Sequence, residues 1–187
     1  MHPSGMPPSG DRRVVVGVTG SLGSLAALHR AAAEARRTGG QLWAVLAWDP
    51  PPAEFTQHGY LPSVPLLEAC RRAAGLELAS ALRTAFGNAG PGVPMDGLVS
   101  RGAPGRALVE IASREDDLLV VGTGHRGRLH RALFPSVARY CVAHAACPVL
   151  TVPPPSMLRE LEAASRRNAL RLPLDARELD GGRISEM

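Results

Sequence analysis

Lysine is absent from this chain: all 21 basic side chains are arginine. In a chain this rich in alanine and arginine, that usage reads as the product of a GC-rich genome, so the number of arginines does not by itself indicate a function. Aromatic residues are scarce at 4%, which speaks against a surface that stacks nucleic-acid bases. No apolar run approaches the ~20 residues needed to span a bilayer, and the opening "MHPSGMPPSGD" has neither the basic start nor the apolar stretch of a secretory signal. The expectation is a cytoplasmic protein with no membrane and no nucleic-acid partner. The three cysteines, Cys70, Cys141 and Cys147, are odd in number and unpatterned in spacing, which favours buried or free thiols over a disulfide framework.

Acidic residues are also missing from one long stretch. From Leu118 to Leu158 there are four arginines (Arg126, Arg128, Arg131, Arg139) and no acid, so the whole formal net charge of +4 falls there. Such a confined excess points to a local anion site more than to a coat for nucleic acid.

What is present is an alternation of two patterns. "RVVVGVTGS" (13–21) is a continuous apolar run of the kind a strand covered on both faces needs. Ser21 can then cap a helix with Leu25, Leu28, Ala32 and Ala35 on one face, ended by "TGG" at 38–40. "QLWAVLAW" (41–48) reads as a second strand. Pro65 to about Phe86 reads as a long helix with apolar Leu66, Ala69, Cys70, Ala73, Leu78, Ala81, Leu82 and Ala85. A third strand near Val93–Ser100, a short helix at 104–113, a fourth strand at 116–122, a helix at 136–145 and a fifth strand at 147–152 complete the series. Strands and helices alternating at these separations predict right-handed βαβ units and a doubly wound parallel α/β sheet, with ligands bound beyond the carboxyl ends of the strands. A chain of 187 residues fits one such domain, burying roughly 70% of its unfolded surface. Two segments fall outside the pattern: the proline-rich connection 49–65, and a tail from 154 with a short helix predicted from Met157 to about Leu170. Residues 1–12 are expected to be disordered.

Several motifs carry ligand-type letters. Gly122, Gly124 and Gly127 spell G-x-G-x-x-G after a strand, but the acid needed about 20 residues later to hold a ribose is missing, since none lies between Asp117 and Glu160. Cys141, His144 and Cys147 resemble metal ligands, yet Cys147 opens the next strand and no fourth ligand is evident. No serine has a base and an orienting acid near it in sequence, so no catalytic residue is assigned and no enzyme activity is expected.

Four pieces in order resemble the universal stress protein family, from Arg13 to Pro153. "VVVGVTGS" is similar to that family's first strand, "RGAPGRALVEIA" (101–112) to its third strand-to-helix turn, "SVARYCVAHAACPVLTV" (136–152) to its closing helix and strand, and Gly122 to Ser136 to its phosphate loop G-x2-G-x9-G-S/T. The resemblance implies a five-stranded sheet of order 3-2-1-4-5 with helices on both faces. It also implies a regulatory, stress-response module binding ATP or AMP, with Mg accompanying the nucleotide and no other metal. The implied site comprises Thr19, Gly20, Ala47, Gly122, Thr123, His125, Arg126, Ser136 and Val137. A homodimer is implied through the last strand, at Val149, Leu150, Thr151 and Val152. The chain departs from the pattern in three places. Thr19 stands where binding members carry an acid, and His125 and Pro135 stand where they carry the second and third loop glycines. Pro135 has no N–H to offer a phosphate oxygen, a loss of ~1.5–3 kcal/mol, or about 10- to 100-fold in affinity. Arg126, Arg128, Arg131 and His130 add cationic donors in the same loop. Two readings follow: a module that keeps adenine nucleotide, and a dimeric protein-interaction module whose phosphate loop has degenerated and whose partner is unknown.

Overall fold

In the computed structural model, which describes residues 12–49, 63–123 and 136–155, the apolar run after Arg12 forms β1 (Arg13–Gly17), with Val14, Val15 and Val16 wholly buried. Successive strand residues point to opposite faces, so this run must be covered on both sides. Val14 and Val16 enter one core with Leu42, Ala44, Leu46 and Val120, while Val15 enters another with Val45, Leu119 and Val121.

Ser21 caps α1 (Leu22–Thr38), its Oγ accepting from the Ser24 amide at 3.3 Å, and Gly39 ends the helix in the left-handed region at φ 64°. Ala27, Ala31, Ala32 and Ala35 are fully buried beside Leu28. Their small side chains let α1 lie close over the sheet, which is why the buried face carries more alanine than leucine. The remaining elements are β2 (Gln41–Trp48), α2 (Val64–Phe86), β3 (Met95–Arg101), α3 (Pro104–Ile111), β4 (Leu118–Gly122), α4 (Val137–His144) and β5 (Val149–Val152). All strand pairings are parallel and the order is β3-β2-β1-β4-β5. Helices α1 and α2 cover one face and α3 and α4 the other. The expected doubly wound five-stranded sheet is the architecture found.

Some boundaries move, each for a visible reason. β4 begins at Leu118, because Asp117 turns inward. Its carboxylate accepts from Arg13 Nε at 2.9 Å and from a terminal Arg13 nitrogen at 2.6 Å, and also from the Arg114 amide at 3.1 Å. Arg13 in turn lies 4.5 Å over the Trp43 ring, so this buried pair ties the amino ends of β1, β2 and β4 together. β5 starts at Val149 rather than Cys147, since Cys147 is tucked under the sheet with its thiol directed to the Ala112 carbonyl.

The chain divides into two compact units, Met1–Pro154 and Pro155–Met187. The tail helix expected at 157–170, the N-terminal residues to 11, the proline-rich residues 50–62 and the loop 124–135 lie outside the described residues. Among the described residues, no helix is long and apolar enough to cross a membrane.

Candidate functional site

The strand order brings the carboxyl ends of β2, β1 and β4 side by side. Past Gly17 the β1 chain continues one residue in pairing, Val18 N–H donating to the Val45 carbonyl at 2.8 Å, and then turns into α1 through Thr19, Gly20 and Ser21. Gly20 sits at φ +65°, a conformation that side-chain-bearing residues adopt only with strain, so the turn depends on glycine. The Thr19 and Ser21 hydroxyl oxygens are 3.0 Å apart, and Ser21 also serves the helix cap. The Thr19 hydroxyl is therefore already engaged by its own turn.

Beside this turn opens a cavity of about 400 Å³. Val18 and Thr19 of the β1 end, Leu46, Ala47, Trp48 and Asp49 of the β2 end, and Cys70, Ala73, Ala74 and Glu77 of α2 line it. The length of α2 explains the wall. Its 23 residues reach about 34 Å, whereas the eight residues of β2 beneath it reach about 26 Å. The helix therefore overhangs the carboxyl end of the sheet. Its buried residues, Ala74, Leu78 and Ala81, lie in its middle and second half. Of the apolar residues in its first half, Leu66 and Cys70 are half-buried and Ala69 and Ala73 exposed, and Cys70 and Ala73 line the cavity.

Of the residues implied as a site, Thr19 and Ala47 share this cavity. Gly122 and Thr123 end β4, next to β1, but do not line it. A side chain at Gly122 would start 2.8 Å from the Gly23 carbonyl oxygen, so its glycine serves the approach of α1 to β4. Thr123 is held by β5, its N–H donating to the Val152 carbonyl at 2.8 Å. Ser136 caps α4, its Oγ accepting from the Arg139 amide at 3.1 Å, and Val137 opens that helix half-buried against the second core. His125 and Arg126, with Pro135, lie outside the described residues. Trp48, Asp49, Cys70 and Glu77 are lining residues that sequence reading did not single out. Only the position of Cys70 and Ala73 near the amino end of a helix longer than its strands could have signalled them.

The thiols differ in setting. Cys141 and Cys147 are buried, directed to the Gly105 and Ala112 carbonyls, and burial pushes the Cys141 thiol up to about 11 and raises that of Cys147. His144 Nδ1 lies 2.9 Å from the Tyr140 carbonyl, so these three letters point to separate backbone oxygens. Among the described residues, no three His, Cys, Asp or Glu side chains gather as metal ligands. Cys70 is the half-buried thiol and stands in the cavity wall.

A parallel 3-2-1-4-5 sheet with a mostly apolar cavity at the carboxyl ends of its first two strands defines a doubly wound α/β domain. Residues 11–153 match the universal stress protein family, and the chain belongs to that family. A universal stress protein family member from Burkholderia pseudomallei is 26% identical, covering 75% of this chain and 95% of its own, with a TM-score of 0.51. The universal stress protein UspA from Lactobacillus plantarum is 23% identical over 75% of this chain and 97% of its own, at a TM-score of 0.55. A universal stress protein solved in complex with cAMP is 27% identical over 78% of this chain and 98% of its own, at a TM-score of 0.48. No curated protein sequence matches the chain.

Proposed function

We propose that this protein is a cytoplasmic stress-response module that binds an adenine nucleotide in the cavity between β1, β2 and α2 and regulates without turning it over. The observation that carries the reading is the cavity itself. Its volume of about 400 Å³ lies within the roughly 300–1,000 Å³ of small-molecule sites. Its walls at Val18, Leu46, Ala47, Ala73 and Ala74 suit a flat apolar ring. The phosphates would extend toward the β4 end, where the strand order reverses. The module is proposed to act as a homodimer paired through β5.

Cys70 gives the test, because it is a half-buried thiol in the cavity wall while Cys141 and Cys147 are buried. Saturating AMP or ATP is expected to slow maleimide labelling of Cys70 at least fivefold, read by peptide mass spectrometry, with the other two thiols unlabelled throughout (a protection of roughly that size follows from occupancy above 80%). Adenine nucleotide released on denaturing the purified protein would agree. No protection and no released nucleotide would sink this reading and favour the interaction module, for which the engaged hydroxyls of Thr19 and Ser136 are the supporting observation.

A further inference from the structure

The cavity's described lining holds two carboxylates, Asp49 and Glu77, and no basic side chain. Both acids are exposed at its mouth, and neither makes a hydrogen bond or ion pair with a described residue. Glu77 is the better placed of the two. It reaches down from α2 so that its Oε1 lies 3.4 Å from where a Gly20 side chain would begin, directly over the left-handed turn between β1 and α1. Gly20 thus leaves room for a carboxylate delivered from the opposite wall. A carboxylate only accepts hydrogen bonds, so what it selects is a ligand group that donates them.

The order of the strands says which group that is. The apolar wall is built at the β2 end with Ala73 and Ala74 of α2, and the strand order reverses between β1 and β4, the point at which doubly wound sheets take their ligands, so β1 lies between the wall and the β4 end. A ligand with its ring on the apolar wall and its anionic end toward β4 must pass its middle across the Thr19–Ser21 turn. For a nucleoside or nucleotide the middle is the sugar. Thr19 offers it only a neutral hydroxyl, shared at 3.0 Å with that of Ser21, whereas Glu77 offers a charged acceptor over the same turn. We propose that Glu77 is the specificity residue of this cavity, accepting from the sugar hydroxyls of the ligand, so that the site selects ribose over sugars lacking those hydroxyls. This inference rests on the nucleotide reading above and adds the residue and the ligand feature that it recognises.

The test is a ligand and side-chain cycle by titration calorimetry on the full chain. Adenosine and 2′,3′-dideoxyadenosine are titrated into the wild type, Glu77→Gln and, as a control on the same helix away from the cavity, Glu68→Gln. The wild type and Glu68→Gln are expected to prefer adenosine about tenfold, the size of one charge-assisted hydrogen bond. In Glu77→Gln the preference should fall below about threefold, as a neutral amide is the weaker acceptor. A ratio within one variant is insensitive to any loss of folded protein, and a purely structural role for Glu77 would weaken both ligands alike and leave the ratio unchanged. An unchanged ratio in Glu77→Gln, or no preference in the wild type, overturns the role of Glu77 while the cavity remains a binding site. If neither nucleoside nor AMP binds the wild type, the nucleotide reading falls and this inference falls with it.

Discussion

The hydrogen that stands in place of a side chain at Gly122 allows the first turn of α1 to close over the end of β4. A Cβ there would meet the Gly23 carbonyl oxygen at 2.8 Å and its carbon at 3.1 Å, both backbone atoms that cannot swing away. Gly122→Ala is therefore expected to destabilise the ligand-free protein by about 1–3 kcal/mol, the usual result of forcing a methyl into a packed contact. Thermal unfolding without nucleotide checks this: if the glycine served only close approach of a phosphate, the ligand-free melting temperature would not move. The same position shows what was legible at this scale. Glycine after a strand signalled a close approach by something, but the letter does not say whether the approaching group is a phosphate or a neighbouring helix, because both need only the absence of a Cβ. Ser136 is similar. Its hydroxyl and its place before a helix were readable, and the cap to Arg139 is the ordinary use of that hydroxyl. Glu77 was not readable, because its role follows from which turn lies beneath it, a tertiary fact.

At the scale of elements, apolar runs bounded by glycine and serine sufficed to place five strands in a parallel sheet, since a run buried on both faces admits few alternatives to a central parallel strand, whereas their order, 3-2-1-4-5 as found, was implied only by the family resemblance. Helix periodicity was less faithful for α2. A periodic face continues along a helix whether or not a sheet lies under it, so the apolar spacing did not separate Leu78 and Ala81, which are buried, from Cys70 and Ala73, which wall the cavity. The opposite layer, α3 and α4, shows the electrostatic consequence of true burial. Cys141 of α4 is fully buried, its thiol directed to the Gly105 carbonyl of α3, and burial raises that thiol from 9.0 to about 11. A raised value in the folded state means that the folded chain holds the proton more tightly than the unfolded chain does. The associated stability is thus complete below pH 9.0 and is lost as pH climbs through about 11. The loss should be about 2–3 kcal/mol, at ~1.4 kcal/mol per pKa unit. Urea midpoints measured from pH 8 to pH 11 should fall, and fall less steeply in Cys141→Ala. An identical pH dependence in the two proteins would show that the thiol is not the group responsible.

For the whole molecule, the question is what covers the outer edge of the sheet. β5 is bonded to β4 on one side, from Leu119↔Val149 to Gly122↔Val152, and is the last strand in the order, so its other edge has no partner strand among the described residues. Its side chains are already committed to the two cores, Leu150 and Val152 to one and Val149 to the other, while Thr151 is exposed. What the edge still offers is backbone, and a short parallel-sheet edge with uncharged residues is a template for another strand. The proposed homodimer places β5 of a second copy there. Four residues per strand supply few backbone hydrogen bonds, so the pairing should be sensitive to a single charge. Thr151→Arg introduces that charge at the exposed position without removing a core side chain. Multi-angle light scattering is expected to give a dimer for the wild type and a shift toward monomer for Thr151→Arg, at an unfolding temperature that shows each chain still folded. A wild type that stays monomeric at high concentration would remove the dimer from the proposal but leave the cavity untouched, since Val18, Leu46 and Glu77 all lie on β1, β2 and α2, toward the other side of the sheet order from β5.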